Sequence, residues 1–250
     1  MDLLDLTGKR ALVTGSSRGI GSATGLLLSK LGAEVVFHGS KASIELVNTV
    51  LTTRDGVSSL QVADFEKPEQ VEKLASELIA NDKVPDILVL NASVQSYTGI
   101  GNFDAGEFDR MFRANVESSC ILLNRLLPEM RKKGSGRVIF VGSINGVRPA
   151  SRLAVYGATK AALMNIARTA AKENAPYGIT VNTILPGVIE TDRNAEKLSD
   201  AEFADELRAH IPMHRFGTVD DCAGVIAFLA SDAAAYITGA EIPVDGGWQL

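Results

Sequence analysis

Two cysteines, three histidines and one tryptophan in 250 residues rule out several ways of building and using a protein. Cys120 and Cys222 both fall in helical apolar patterns, so they read as buried free thiols, a usage that points to the cytoplasm. His210 and His214 are spaced like a helical metal pair, but Pro212 between them breaks the helix such a pair needs, and no metal site is expected. No stretch approaches the ~18 consecutive apolar residues that a membrane span requires. The Met1-Asp2 start lacks the basic residues of a signal peptide. Positive charge is in short supply: 25 Lys and Arg against 30 Asp and Glu leave a net charge of −5 and a pI near 5.3. That balance argues against nucleic acid or an anionic membrane as partner. The one basic run, Arg131-Lys132-Lys133, reads as the charged end of a helix stopped by Gly134. Linkers and low-complexity segments are also missing. A composition of 46% hydrophobic and 22% charged residues then suits one globular domain over 1–250 with a large core.

What is present is a regular alternation of two periodicities. Strand patterns are expected at Lys9–Val13, Ala33–His38, Val57–Val62, Asp86–Leu90, Arg137–Gly142, Ile179–Leu185 and Glu241–Val244. Between them lie helical patterns at Ser22–Leu31, Ile44–Thr53, Pro68–Ala80, Phe108–Lys133, Leu153–Glu173 and Asp220–Ser231, with Pro128 a site for a kink. Seven strands alternating with helices predict an α/β fold, a doubly wound parallel sheet of Rossmann type with helices on both faces. The polar segment Asp192–Arg208 interrupts the alternation and reads as a lid over a substrate site.

Two stretches carry chemistry. In Ser143–Lys160, Tyr156 and Lys160 are four residues apart and share one helix face. The phenol of a free tyrosine titrates at roughly 10, and a neighbouring ammonium favours its phenolate, so the pair suits proton transfer. Ser143 ends an apolar strand, where its hydroxyl can hold a carbonyl oxygen while Tyr156 donates the proton. The second stretch, Thr14-Gly15-Ser16-Ser17-Arg18-Gly19-Ile20-Gly21, runs from a strand into a helix. Glycines there let a pyrophosphate approach the backbone at a helix N-terminus.

The TGxxxGxG spacing, followed in order by Ser143, Tyr156 and Lys160, resembles the short-chain dehydrogenase/reductase family in its compact single-domain form. Asn91-Ala92, Asn115, Pro186–Thr191, Tyr236–Gly239 and Val244–Gly247 extend the resemblance over nearly the whole chain. The pattern is most similar to bacterial 3-oxoacyl-carrier-protein reductases and small-ketone reductases. The resemblance implies Tyr156 as general acid and base, Ser143 orienting the carbonyl, and Lys160 lowering the tyrosine pKa and holding the nicotinamide ribose. Asn115 would support Lys160 through a water. Cofactor contacts are implied for Gly15, Ser17, Arg18, Gly19, Ile20 and Gly21, for Ser40 and Lys41, and for Asp64 and Phe65. Asn91, Ala92, Pro186, Gly187, Ile189 and Thr191 complete that set with Tyr156 and Lys160. The second strand ends His38-Gly39-Ser40-Lys41 without a carboxylate for a ribose 2′-hydroxyl, and Arg18 sits in the glycine loop, so NADP(H) is favoured over NAD(H).

Two departures bear on the substrate. The family's NNAG reads Leu90-Asn91-Ala92-Ser93, and Tyr177 stands where carrier-protein reductases often have an arginine, which favours a free small molecule. Asn145, Arg148 and Arg152 lie between Ser143 and Tyr156 and are the candidate substrate contacts, an arginine suiting a carboxylate or phosphate. A sugar or polyol dehydrogenase is the alternative within the family. Two remoter readings are a serine hydrolase with Ser17 in a GxSxG elbow served by His210 or His214, and a dinucleotide sensor without turnover. The apolar helices Phe108–Lys133 and Leu153–Glu173 resemble those that pair subunits in the family, implying a homotetramer.

Overall fold

The computed structural model describes residues 3–53 and 58–250. Seven parallel strands form one sheet: β1 (Arg10–Val13), β2 (Glu34–Gly39), β3 (Ser59–Val62), β4 (Ile87–Leu90), β5 (Gly136–Val141), β6 (Ile179–Pro186) and β7 (Glu241–Val244), in spatial order β3-β2-β1-β4-β5-β6-β7. The central strands are covered on both faces, which is why their sequences, such as Ile87-Leu88-Val89-Leu90, are apolar without alternation. The order reverses between β1 and β4, leaving a crevice at the carboxyl ends of these neighbours.

The helices are α1 (Gly19–Lys30), α2 (Ile44–Leu51), α3 (Pro68–Ala80), α4 (Ala105–Phe112), α5 (Ser118–Lys133), α6 (Ala154–Asn174), α7 (Asp192–Leu198), α8 (Ala201–Ala209) and α9 (Val219–Ala230). One core layer joins the sheet to residues such as Leu74, Leu78, Leu122, Leu126 and Leu163 from α3, α5 and α6; the other joins it to Leu28, Leu46, Ile226 and Leu229 from α1, α2 and α9. Helix α1 comes close to β2 because Gly25 has no side chain: a Cβ there would sit 2.3 Å from the Phe37 ring.

Most expected elements are present within a few residues, and three differ. Val57, expected to open the third strand, lies outside the described residues, and that strand is seen from Ser59. The helix expected from Phe108 starts at Ala105, because Asp104 accepts a hydrogen bond from the Glu107 N–H (3.0 Å) as an N-cap. It is also not one regular helix: a π-turn over Arg113–Glu117 joins α4 to α5, which then runs on through Pro128. The π-turn surrounds Asn115, in keeping with the habit of such bulges to occur where a side chain must be re-aimed. The polar segment expected as a lid folds into α7 and α8, the latter capped by Asp200.

Candidate active site

The glycine loop between β1 and α1 is braced from both sides. Gly15 and Gly19 take φ of +62° and +59°, a region that costs residues with a Cβ. The Asn91 side chain donates to the carbonyls of Thr14 (2.8 Å) and Gly15 (2.9 Å), and Thr14 Oγ1 accepts from the N–H groups of Asn91 and Ala92. Gly21 closes the arrangement from below: a Cβ there would lie 2.4 Å from the Gly15 carbonyl oxygen. On the other side the Gly15 N–H donates to His38 Nδ1 (3.0 Å), which leaves Nε2 as the protonated nitrogen donating to the Ala63 carbonyl (2.9 Å). Phe65 stacks on this ring at 4.1 Å. Burial pulls the His38 pKa down to about 4, so the imidazole is neutral and its acceptor stays available to the loop.

This loop forms one end of a cavity of about 970 Å³, and Ser143, Tyr156 and Lys160 stand at its centre. The fit to a dinucleotide is good. No side chain caps the N-terminus of α1, which leaves its first N–H groups for an anion. A Cβ at Gly19 would meet the Thr191 methyl at 3.6 Å and narrow the slot between the loop and the segment after β6. Ser17, Arg18, Ile20, Ser40, Lys41, Asn91, Ala92, Pro186, Gly187 and Ile189 line the same space. A hydrogen bond from Ser43 holds the Glu45 carboxyl below its usual range, and the charges of Lys41 and Arg18 add to this, so both cations border one end of the cavity. Asp64 lines it too, although Oδ1 already accepts from the Glu66 N–H (3.1 Å) in a local turn.

At the centre, Ser143 Oγ accepts from the Asn145 N–H (3.1 Å), and Ser143 acts to lower the Tyr156 pKa. Lys160 donates from Nζ to the Val141 carbonyl (2.8 Å), with Nζ 5.6 Å from the Tyr156 ring centroid. The electrostatics differ from the sequence expectation. Burial raises the Tyr156 pKa above that of a free phenol, and the cation that pulls it back is Arg193. Lys160 is itself lowered to about 7, by burial first and by Arg193 second. Burial thus favours the neutral amine of Lys160, whose Nζ is tied to a backbone carbonyl.

Three expected site residues lie off the cavity. Gly21 acts only through the packing just described. Arg152, in the left-handed region at φ +64°, donates to the Tyr97 carbonyl (3.3 Å) and does not line the substrate space, whereas Arg148 does and is anchored on the Trp248 carbonyl (2.6 Å). Asn115 is fully buried, bonded through its side chain to both backbone groups of Val94 (2.7 and 2.9 Å) and to Thr159 Oγ1 (3.1 Å). Thr159 in turn donates to the Tyr156 carbonyl (2.7 Å), so Asn115 steadies the turn of α6 that carries Tyr156 and Lys160. The hydrolase elbow has no base. His210 is held by the Glu206 carbonyl, neither it nor His214 lines the cavity, and both His38 nitrogens are engaged. Among the described residues no cluster of His, Cys, Asp or Glu could hold a metal ion. His38, Ser93 and Arg193 are site residues that sequence reasoning missed. The one legible signal was a basic residue two positions beyond Thr191.

The comparisons with known proteins agree with this geometry. Residues 15–249 match a family model described as enoyl-(acyl carrier protein) reductase. The chain is 36% identical over 246 residues to the 3-oxoacyl-(acyl-carrier-protein) reductase FabG of Rickettsia conorii, covering 98% of each. A solved 3-oxoacyl (acyl-carrier-protein) reductase from Agrobacterium tumefaciens C58 with NADP bound superposes with a TM-score of 0.92 at 33% identity, covering 98% of this chain and 96% of that one. A gluconate 5-dehydrogenase from Burkholderia cenocepacia J2315 in complex with NADP and tartrate gives 0.93 at 31% identity, covering 99% and 98%. With a matching sheet order, a braced glycine loop and Ser143, Tyr156 and Lys160 gathered on one cavity, the chain belongs to the short-chain dehydrogenase/reductase family of oxidoreductases.

Proposed function

We propose that this protein is an NADP(H)-dependent reductase of a small-molecule carbonyl compound, acting in reverse as a secondary-alcohol dehydrogenase. The observation that carries the reading is the convergence of Ser143, Tyr156 and Lys160 on a cavity whose far end is the anion-ready glycine loop with Arg18 and Lys41 beside it. NADPH, when bound, supplies the hydride. Tyr156 gives its hydroxyl proton to the carbonyl oxygen, and its raised pKa keeps that proton in place at neutral pH. Ser143 donates to the same oxygen as negative charge develops on it. Lys160 holds the nicotinamide ribose and stands behind Tyr156; Asn115 is a positioning residue. Asn145 and Arg148 border the substrate, and residues 192–208 close over it as a lid on a single-domain enzyme. The bound NADP of relatives such as the Agrobacterium reductase supports the cofactor choice, as does the lack of a carboxylate in His38-Gly39-Ser40-Lys41 at the end of β2.

A second reading, a dehydrogenase of sugar acids or polyols, is favoured by the likeness to gluconate 5-dehydrogenase. The helices α4–α6 suit subunit pairing, so a homotetramer is proposed, with light scattering at micromolar concentration as its check. Among the described residues no helix is long and apolar enough to cross a membrane.

Oxidation of NADPH and NADH across a panel of keto acids, 3-oxoacyl thioesters, diketones and keto sugars tests the function. Turnover with NADPH should fall by roughly 10²–10⁴-fold in Tyr156→Phe, the usual worth of a positioned proton donor. Cofactor binding without turnover over the whole panel would instead mark a sensor.

A further inference from the structure

The cavity is lined by a cation without a carboxylate partner that the chemistry above does not use. Arg193 leaves the start of α7 and reaches across to the end of β4, where Nη2 donates to the Ser93 carbonyl (2.7 Å) and Nη1 to Ser93 Oγ (3.3 Å). The charge of the same guanidinium bears on both Tyr156 and Lys160, and the three side chains line one cavity. It therefore lies over the reacting centre.

Its partners are the unusual part. Of the other arginines lining the cavity, Arg18 borders the glycine loop, Arg148 is anchored on the Trp248 carbonyl away from Tyr156, and Arg110 is neutralised by Glu66 (2.8 Å) and Glu107 (3.1 Å). Among the described residues no carboxylate pairs with Arg193, whose hydrogen bonds go to the carbonyl and the hydroxyl of Ser93. A guanidinium fork with uncharged partners, exposed at the edge of a cavity that Lys160 also lines, is matched to an anion. An anion on the substrate offers the fork a stronger partner than the Ser93 carbonyl and hydroxyl.

We propose that Arg193 is the specificity-determining residue of this site and binds the carboxylate of a short oxo acid, held within a few bonds of the carbonyl that Tyr156 protonates. Ser93 parks the guanidinium while the site is empty. The proposal rests on the reductase reading for its reaction, and it selects a free acid over a neutral thioester.

The test compares 3-oxobutanoate with its methyl ester, at saturating NADPH, in the wild type and in Arg193→Met and Arg193→Lys. The ratio of kcat/KM for acid to ester should fall by about 10- to 100-fold in Arg193→Met, the loss expected for a hydrogen-bonded charge pair. Arg193→Lys should recover part of it. A ratio that moves less than threefold overturns the assignment, while ester turnover that still depends on Tyr156 keeps the reductase reading intact. Calorimetric titration of malonate, an unreactive carboxylate, needs no turnover. Binding to the wild type that is lost in Arg193→Met supports the anion site even where no carbonyl is reduced. No binding, or binding that survives the substitution, rejects it.

Discussion

His38 holds three strands together at the mouth of the cofactor site through one neutral ring, between the Gly15 N–H and the Ala63 carbonyl. Its pKa is about 4 in the fold and 6.5 when free, so the unfolded chain binds more protons between these values and stability falls as the pH drops through that window. The full loss is about 3 kcal/mol, taking roughly 1.36 kcal/mol for each pH unit. Melting temperatures from pH 7 to pH 4 should show a slope that His38→Gln flattens, with NADPH affinity weakened in the variant because Gly15 loses its acceptor. An unchanged slope would mean that the ring is not buried as described. Lys160 has the same sign of effect in another window. Its pKa drops from 10.5 to about 7, so folding favours the neutral amine and stability rises with pH between those values. Lys160→Met should therefore abolish turnover and leave the melting temperature at pH 7 equal or higher. A large drop in melting temperature would show that the Val141 contact outweighs the cost of burying the charge.

At the scale of elements, α1 and β2 depend on each other through the missing side chain of Gly25. Alanine is a better helix former than glycine by about 1 kcal/mol, which by itself predicts a gain. Here the added Cβ would lie 2.3 Å from a Phe37 ring carbon, and the ring is fully buried among Leu28 and Leu46. Overpacking of that kind costs roughly 1–3 kcal/mol, so the packing cost wins. Gly25→Ala should lower the denaturant midpoint, and Phe37→Leu in the same chain should recover part of the loss. Additive effects of the two substitutions would show that the contact is not shared. The π-turn at Arg113–Glu117 is the other element that matters to function, since it aims Asn115 at Val94 and Thr159.

For the whole molecule, the cofactor should act as a clamp between two parts of the fold, the glycine loop and the segment from Pro186 to Thr191. A ligand present at about 100 times its dissociation constant adds about 2.7 kcal/mol of stability, or roughly 5–10 °C in a domain of this size. NADPH should produce such a rise and NADH a smaller one at equal concentration. Replacing Arg18 and Lys41 together by alanine should bring the two cofactors level, by removing the cations that border the 2′-phosphate end. Equal shifts in the wild type would refute the preference for NADP(H).

The amino-acid sequence by itself determined the sheet and the chemical centre. Apolar runs without alternation specify buried parallel strands wherever they fall, and a YxxxK pair on one helix face needs only the helix to bring its two groups together. The glycine loop was equally legible, because backbone conformation there is a local property. What the tertiary structure decided are interactions between residues far apart in the chain. Arg193 reaches Ser93, Asn115 reaches Val94 and Thr159, and His38 reaches Gly15 and Ala63. It also decided the charge state of the centre. Spacing alone made Lys160 the cation beside Tyr156, but burial lowers the Lys160 pKa, and the charge that draws the Tyr156 pKa down is that of Arg193. Local pattern fixes which groups face the cavity, whereas desolvation depends on everything packed around them, and no segment of sequence contains that information.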